Sequence, residues 1–284
     1  MTILKTLRQR PKLFFRLSGI RLSDFDDLLL KVAPLWEEYE KQRLSRKNRQ
    51  RAIGAGRQYE LKFAEQLLVC LIYYRIYINQ AFLGLVFNVS SPTVCRRIKA
   101  MTLLLAGHFR LPERCIRLDK EEKDDLLYLM VDGTERPIQR PKKHSKRKEN
   151  YSGKKKRHTR KHQIITDNNK RILAVGPAQV GSKHDKKIYD ESRLIKPPNT
   201  LVLGDTGYLG TDLEIPIKKR KKQHRTHEDK KYNTWHSRLR IGVEHGIGRM
   251  KKFNIFSDID RGNQHQNLIA KNVAGLANIN LNVS

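Results

Sequence analysis

Three carboxylates stand out in a chain that has few of them: Asp132 in Tyr128-Leu-Met-Val-Asp-Gly-Thr134, Asp205 in Leu203-Gly-Asp-Thr-Gly-Tyr208, and Glu244 in Gly242-Val-Glu-His-Gly-Ile-Gly-Arg-Met-Lys-Lys252. Asp132 and Asp205 each end an apolar run of strand character, where a carboxylate is costly unless its charge is compensated. A metal ion is an effective compensator. Glu244 lies in a segment of helical periodicity, so three elements could bring the acids to one edge of a sheet. Oxygen donors of this kind suit Mg²⁺ or Mn²⁺ and the hydrolysis of phosphodiesters. Taken singly, an Asp on a buried strand is more often a turn or cap residue than a ligand. It is the set that makes Asp132, Asp205 and Glu244 candidate catalytic and metal-binding residues.

The chain around them has 284 residues and 38% hydrophobic content, enough for a sizeable core and for two domains. Its 59 Lys and Arg against 29 Asp and Glu give a net charge of +30. That is the electrostatic footprint of a polyanion binder, with nucleic acid, expected here as double-stranded DNA, the leading partner and a membrane surface second. The longest apolar run, Leu67 to Tyr74, stops at Arg75 and is too short to span a bilayer. Charges scattered through Leu4 to Arg16 replace a signal-peptide core, so no membrane association and an intracellular location in the cytoplasm at the nucleoid are expected. Cys70, Cys95 and Cys115 are odd in number and form no C-x-x-C pair, which predicts buried free thiols.

The elements that must position the acids fall into two halves, residues 1–115 and 116–284. In the first, Ser23 opens a capping-box-like Ser-Asp-Phe-Asp, and Phe25, Leu28, Leu29, Val32, Leu35 and Trp36 recur at helical spacing, with Pro34 predicting a kink or break. Arg43 to Arg57 suggests a loop, and Tyr59 to Tyr77 a long buried helix. Asn79 then caps a short helix, Asn88-Val-Ser turns, and Ser91 starts another helix. This is helix-turn-helix spacing, within about 59–106. The second helix would present Thr93, Arg96, Arg97 and Lys99 to a major groove; a structural hairpin with a solvated basic face is the alternative.

After Pro112 the pattern becomes strand-like. Leu126 to Val131 suits a buried central strand, Gln163 to Thr166 and Ile172 to Val175 flank the hairpin punctuation Asp167-Asn-Asn169, and Thr200 to Leu203 forms another short strand. Between them Asp185 to Leu194 makes a short helix. Three antiparallel strands, a helix, a further strand and a late helix give the order of a ribonuclease-H-like fold. On the late helix Tyr232, Trp235, Leu239, Val243, Ile247 and Met250 form an apolar stripe, with Ser237, Arg240, Glu244 and Lys251 in one sector beside it. Gly242, Gly246 and Gly248 each cost that helix about 1 kcal/mol relative to Ala, which makes sense if it approaches a strand or DNA closely.

Two basic tracts border the acids. Arg140 to His162 holds twelve Lys or Arg against Glu149 alone, and Lys218 to Lys231 holds eight against Glu228 and Asp229. Arg140, Lys154, Lys155, Lys156 and Arg157, with Arg240 and Lys251, are candidate contacts to DNA backbone through counterion release; solvated surface is the bland alternative. His158 and His162 are four apart, but no Cys lies nearby and no H-E-x-x-H occurs, which argues against structural zinc.

Read together, these words resemble those of DDE transposases of bacterial insertion sequences and, more distantly, of Harbinger-type nucleases. The resemblance is carried by Val131-Asp-Gly-Thr-Glu-Arg-Pro137, Gly181-Ser-Lys-His-Asp185, Gly204-Asp-Thr-Gly-Tyr208 and Arg240-x3-Glu244-x6-Lys251, in that order. It implies an α+β chain in which an N-terminal all-α helix-turn-helix domain precedes a ribonuclease-H-like α/β/α catalytic domain. It also implies that Asp132, Asp205 and Glu244 hold one or two Mg²⁺ or Mn²⁺ ions, and that the freed 3′-hydroxyl is transferred to target DNA. Asp185 falls where Harbinger-like relatives have an extra metal-binding acid, although an N-cap role explains it as well. Many such transposases have Tyr three residues before the signature Arg; here it is Ser237. A nuclease that cuts without integrating and a non-catalytic DNA-binding derivative remain as alternatives, and a homo-oligomer on DNA remains open.

Overall fold

The computed structural model describes residues 2–45, 50, 52, 55, 58–116, 118–219, 224–262 and 265–283. Most of the loop expected within Arg43 to Arg57, and residues 220–223 of the second basic tract, lie outside them. The described chain forms two units: Met1–Arg110 with Lys252–Ile255, and Leu111–Lys251 with Phe256–Ser284.

The first unit is all helical: α1 (Ile3–Arg8), α2 (Pro11–Ser18), α3 (Leu22–Leu44), α4 (Phe63–Ile76), α5 (Gln80–Phe87) and α6 (Ser91–Phe109). The core runs through α4, where Leu67, Leu68, Val69, Cys70 and Leu71 are fully buried. Each such aliphatic side chain contributes about 1.5–3 kcal/mol over its exposed state. Helix α3 begins at Leu22, with Arg21 N–H donating to Asp24 Oδ2 (3.3 Å), so that Arg21 and not the predicted Ser23 is the N-cap. It also runs unbroken through Pro34, so the break that the proline predicted does not occur. A proline inside a helix costs about 3 kcal/mol. Packing beyond it offsets that cost: Trp36 stacks on Phe63 (5.3 Å) and on Tyr39 (5.8 Å), and Glu40 accepts hydrogen bonds from Arg43 and Tyr59.

The helix-turn-helix forms as its caps predict. Asn79 Oδ1 accepts from Ala81 N–H and Ser90 Oγ from Thr93 N–H, while Asn88 turns the chain in the left-handed region (φ 53°). Of the cysteines, Cys70 is buried, but Cys95 and Cys115 are only half-buried; all three are free thiols.

In the second unit α7 (Lys120–Asp124) precedes β1 (Tyr128–Pro137), followed by α8 (His144–Asn150), β2 (Tyr151–Ser152), β3 (Arg157–Asp167), β4 (Ile172–Val175), β5 (Gln179–Val180), α9 (Asp185–Ser192) and β6 (Leu201–Leu203). Helix α10 (His227–Lys251), α11 (Asn254–Ser257), which straddles the unit boundary, and α12 (Gln266–Ile279) complete the chain. The mixed sheet has β3 at its centre: β1 and β4 pair with it antiparallel, and β6 pairs parallel with β1. This is the ribonuclease-H-like order. Strand β1 does not end at Asp132. It continues to Pro137, because the basic stretch from Arg157 onward is strand, not loop, and pairs with it.

Alternation along β1 separates the two faces. Leu129 and Val131 join Ile165, Tyr189, Val202 and Tyr208 in a core under α9. On the other face Met130 meets α10, where a Cβ on Gly242 would come within 2.7 Å of its Cε, and one on Gly246 within 3.1 Å of Thr166 Cγ2. Gly242 and Gly246 thus let the helix lie against the sheet; Gly248 faces open space. No helix among the described residues is long and apolar enough to cross a membrane.

Candidate active site

The parallel register of β1 and β6 pairs Met130 with Leu203. Two residues further along each chain stand Asp132, inside β1, and Asp205, just past β6, so the backbone brings them to the same level of the sheet. Asp132 Oδ1 accepts its neighbour Gly133 N–H (2.7 Å), and Asp205 Oδ1 accepts Gly207 N–H (2.7 Å) at the start of a short 3₁₀ turn. Helix α10 crosses the same region and supplies Arg240 and Glu244 one turn apart. The Arg240 guanidinium is 3.9 Å from both Asp132 Oδ2 and Glu244 Oε1.

These side chains line a cleft of about 380 Å³ with Asp185, Thr134, Glu135, Lys154, Lys155 and Lys251. Asp185 is the first helical residue of α9, whose N-cap is His184, so the capping alternative does not describe it. Glu244 opens into the cleft with its side chain 59% exposed. Five acids from four elements therefore meet one cavity. They are not drawn around a point: among the described residues no three His, Cys, Asp or Glu side chains lie close enough to hold a metal ion.

The electrostatics favour a cation. Burial pushes the Asp132 carboxyl up to about 6, and the charges of Asp205 and Asp185 push the same way, against Arg240 and the Gly133 N–H. Burial, then the charges of Asp185, Asp132 and Asp205, hold the Tyr208 phenol well above its ordinary range. Burial and the neighbouring Lys155 lower Lys251. A hard divalent cation matches the all-oxygen donor set and would join Arg240 in holding the Asp132 charge against burial.

The other predicted contacts separate. Lys154 and Lys155 line the cleft, whereas Lys156 and Arg140 are exposed outside it. Arg157 instead lines a second cleft of about 610 Å³ with Gln139, Asp258 and Arg261. In the helix-turn-helix Arg96 and Lys99 are exposed and Thr93 is half-buried. Arg97 is turned inward, its guanidinium 4.4 Å from the centre of the Tyr59 ring and its Nη1 donating to Gln66 (3.4 Å).

On α10 the expected apolar stripe is buried only in its second half, through Val243, Ile247 and Met250. Trp235 is 44% exposed, and buried His236 takes its place against Glu214. Where relatives place a tyrosine, Ser237 is exposed; of the nearby aromatics, Tyr232 donates to Glu214 (2.8 Å) and packs against Trp235, and neither ring lines the cleft. His158 and His162 lie on a strand, where Nδ1 of buried His162 meets the Gly176 carbonyl (3.0 Å). The sequence missed Glu135 and Lys161, which face Asp185. Their cross-strand pairing would have exposed them, but only once β3 was known to start at Arg157.

Comparison with known proteins agrees with this architecture. The family model described as DDE superfamily endonuclease matches residues 131–278, and the one described as helix-turn-helix of DDE superfamily endonuclease matches residues 59–111. The chain belongs to this superfamily and is a metal-dependent nuclease of the transposase type with a DNA-binding helix-turn-helix. Similar to it over 99% of both chains, at 32% identity, is a relative from Microchaete diplosiphon named transposase for insertion sequence element IS702. A Streptomyces albus G relative named transposase for insertion sequence element IS112 is 30% identical over 73% of this chain and 76% of its own. No solved structure matches the chain.

Proposed function

We propose that this protein cuts phosphodiester bonds at the ends of a mobile DNA element and joins the freed 3′-hydroxyl to target DNA, with Asp132, Asp205 and Glu244 holding one or two Mg²⁺ or Mn²⁺ ions and Asp185 beside them. The observation that carries this is the single cleft in which those four acids meet Arg240, Lys154, Lys155 and Lys251. When bound, a divalent ion supplies Lewis acidity toward the phosphoryl group and a nucleophilic water at neutral pH. The chain's own contribution is positional. Lys154, Lys155 and Lys251 attract the phosphates on either side of the reacting one, and Arg240 neutralises charge beside Asp132 and Glu244.

We further propose that residues 1–115 bind the element ends and residues 116–284 carry the chemistry, that the protein acts as a homo-oligomer on DNA, and that it works in the cytoplasm at the nucleoid. Incubating the purified protein and Mg²⁺ with a duplex carrying the element end and a plasmid target tests the reaction. The expected products are a nicked end with a 3′-hydroxyl, followed by covalently joined target. Cleavage without joining would leave the endonuclease alternative; DNA binding without either would leave the non-catalytic one.

The arrangement of the recognition helix divides its two arginines. Arg96→Ala is expected to reduce discrimination between element ends and scrambled duplex by about 1–3 kcal/mol, the worth of a good bidentate base contact. Arg97→Ala should change discrimination less and lower the melting temperature instead, because it removes the contact with Tyr59. Paired binding assays and melting curves on both variants separate the roles.

A further inference from the structure

Lys161 belongs by sequence to the basic tract, yet its ammonium is turned into the protein. It pairs across the sheet with Glu135 in the β1/β3 register, and its side chain is only 11% exposed. Nζ donates to the Lys183 carbonyl (2.8 Å) and to Asp185 Oδ1 (3.2 Å), and lies 3.9 Å from Glu135 Oε1. Glu135 is anchored in turn, its Oε2 accepting from the Thr159 hydroxyl (2.8 Å). A lysine stripped of water in this way stays charged only if it is paired.

Two residues before Glu135 on β1, Gly133 leaves the space that Asp185 fills. A Cβ on Gly133 would stand 2.9 Å from Asp185 Oδ1. Gly133 neighbours Asp132 in the chain but points to the opposite face of β1. The carboxylate of a residue fifty positions away is thus seated on the strand beside Asp132, with a missing side chain below it and a buried cation beside it.

We propose that Lys161 is a positioning residue: with the space left by Gly133, its ammonium fixes Asp185 against β1 as the acid that completes the divalent-cation site. The inference rests on the proposed metal-binding reading of the cleft. Without the ammonium, Glu135 and Asp185 lose the cation they share, and Asp185 moves off Gly133. Partners that orient metal ligands typically change affinity by about 10–100-fold when removed.

The test is Mn²⁺-dependent thermal stabilisation of the full chain without DNA, for the parent, Lys161→Met, Lys161→Arg, Asp185→Asn and the Lys161→Met/Asp185→Asn double variant. Lys161→Met should raise the Mn²⁺ concentration for half-maximal stabilisation by about tenfold or more, Lys161→Arg should largely restore it, and the double variant should be no worse than Asp185→Asn alone. A merely structural lysine would lower the melting temperature without Mn²⁺ and leave the half-maximal concentration unchanged, which overturns the proposal. If Lys161→Met does not fold, Gly133→Ala decides. The added methyl displaces Asp185 with Lys161 intact and should weaken Mn²⁺ similarly; an unchanged response overturns the proposal. Were the parent itself unaffected by Mn²⁺ and indistinguishable from Asp132→Asn, the metal-site reading would fall, and this inference with it.

Discussion

Asp132→Asn is expected to slow DNA cleavage on the order of 10³-fold or more while leaving affinity for duplex DNA unchanged or slightly raised. On the proposed function the substitution removes a metal ligand worth several kcal/mol in the transition state, and each 1.36 kcal/mol is tenfold in rate. The basic lining of Lys154, Lys155 and Lys251 remains, and one negative charge facing the phosphates is gone. Cleavage and gel-shift assays on one preparation separate the two effects, and the variant must be shown to be folded. Its melting curve supplies more than that control. The folded-state value for Asp132 is about 6, raised from 3.8, so the folded protein holds this proton more tightly than the unfolded chain. Ionisation costs nothing below the unfolded value, costs progressively more as pH rises toward about 6, and costs its full amount above that. In metal-free buffer the melting temperature of Asp132→Asn, relative to the parent, should therefore climb across that window and then level off. Mg²⁺-dependent cutting that persists in the pure variant would locate the chemistry elsewhere.

Neutralising Arg140, Lys154, Lys155 and Lys156 together should weaken binding to every duplex alike. Cations on the DNA backbone release counterions without reading bases, so the slope of log affinity against log salt should fall by up to about 0.9 for each phosphate left without its cation. With four cations removed the slope changes by at most about 3.6. The choice of residues follows the structure more than the tract. Lys161 is left out because its ammonium is committed to Asp185, and Arg157 because it lines a different cleft. Replacing Arg157 alone gives the contrast. A slope that does not move in the fourfold variant would make this surface merely solvated.

The two clefts show why one run of charge could not be assigned from the sequence. Composition places twelve cations between Arg140 and His162, but β3 begins inside that run, and strand alternation then sends neighbouring side chains to opposite faces. Lys161 consequently points at acids and Arg160 does not pair with them. The same strand extension moved Asp132 from the end of β1 to its interior.

Local signals were sufficient where a single residue satisfies its own backbone. Asn79 caps its helix as predicted, the next helix starts at Ser91 as predicted with Ser90 as its cap, and the left-handed Asn88 turns between them. Short-range chemistry of this kind, together with apolar periodicity and the order of the motif words, determined from sequence alone the helix-turn-helix, the ribonuclease-H-like strand order and four of the acids that line the cleft. Pro34 marks the limit of that determination. Its local cost predicted a kink or a break, and the packing of Trp36 on Phe63, distant in sequence, helps keep α3 unbroken.

What only the tertiary structure decided is the wiring among charges. That Arg240 stands between Asp132 and Glu244, that Arg97 turns to Tyr59, and that Lys161 and the bare face of Gly133 seat Asp185 all depend on which strands pair and which helix lies on which face. The energy of an ion pair depends on distance and on exclusion of water, and neither quantity is written along the chain.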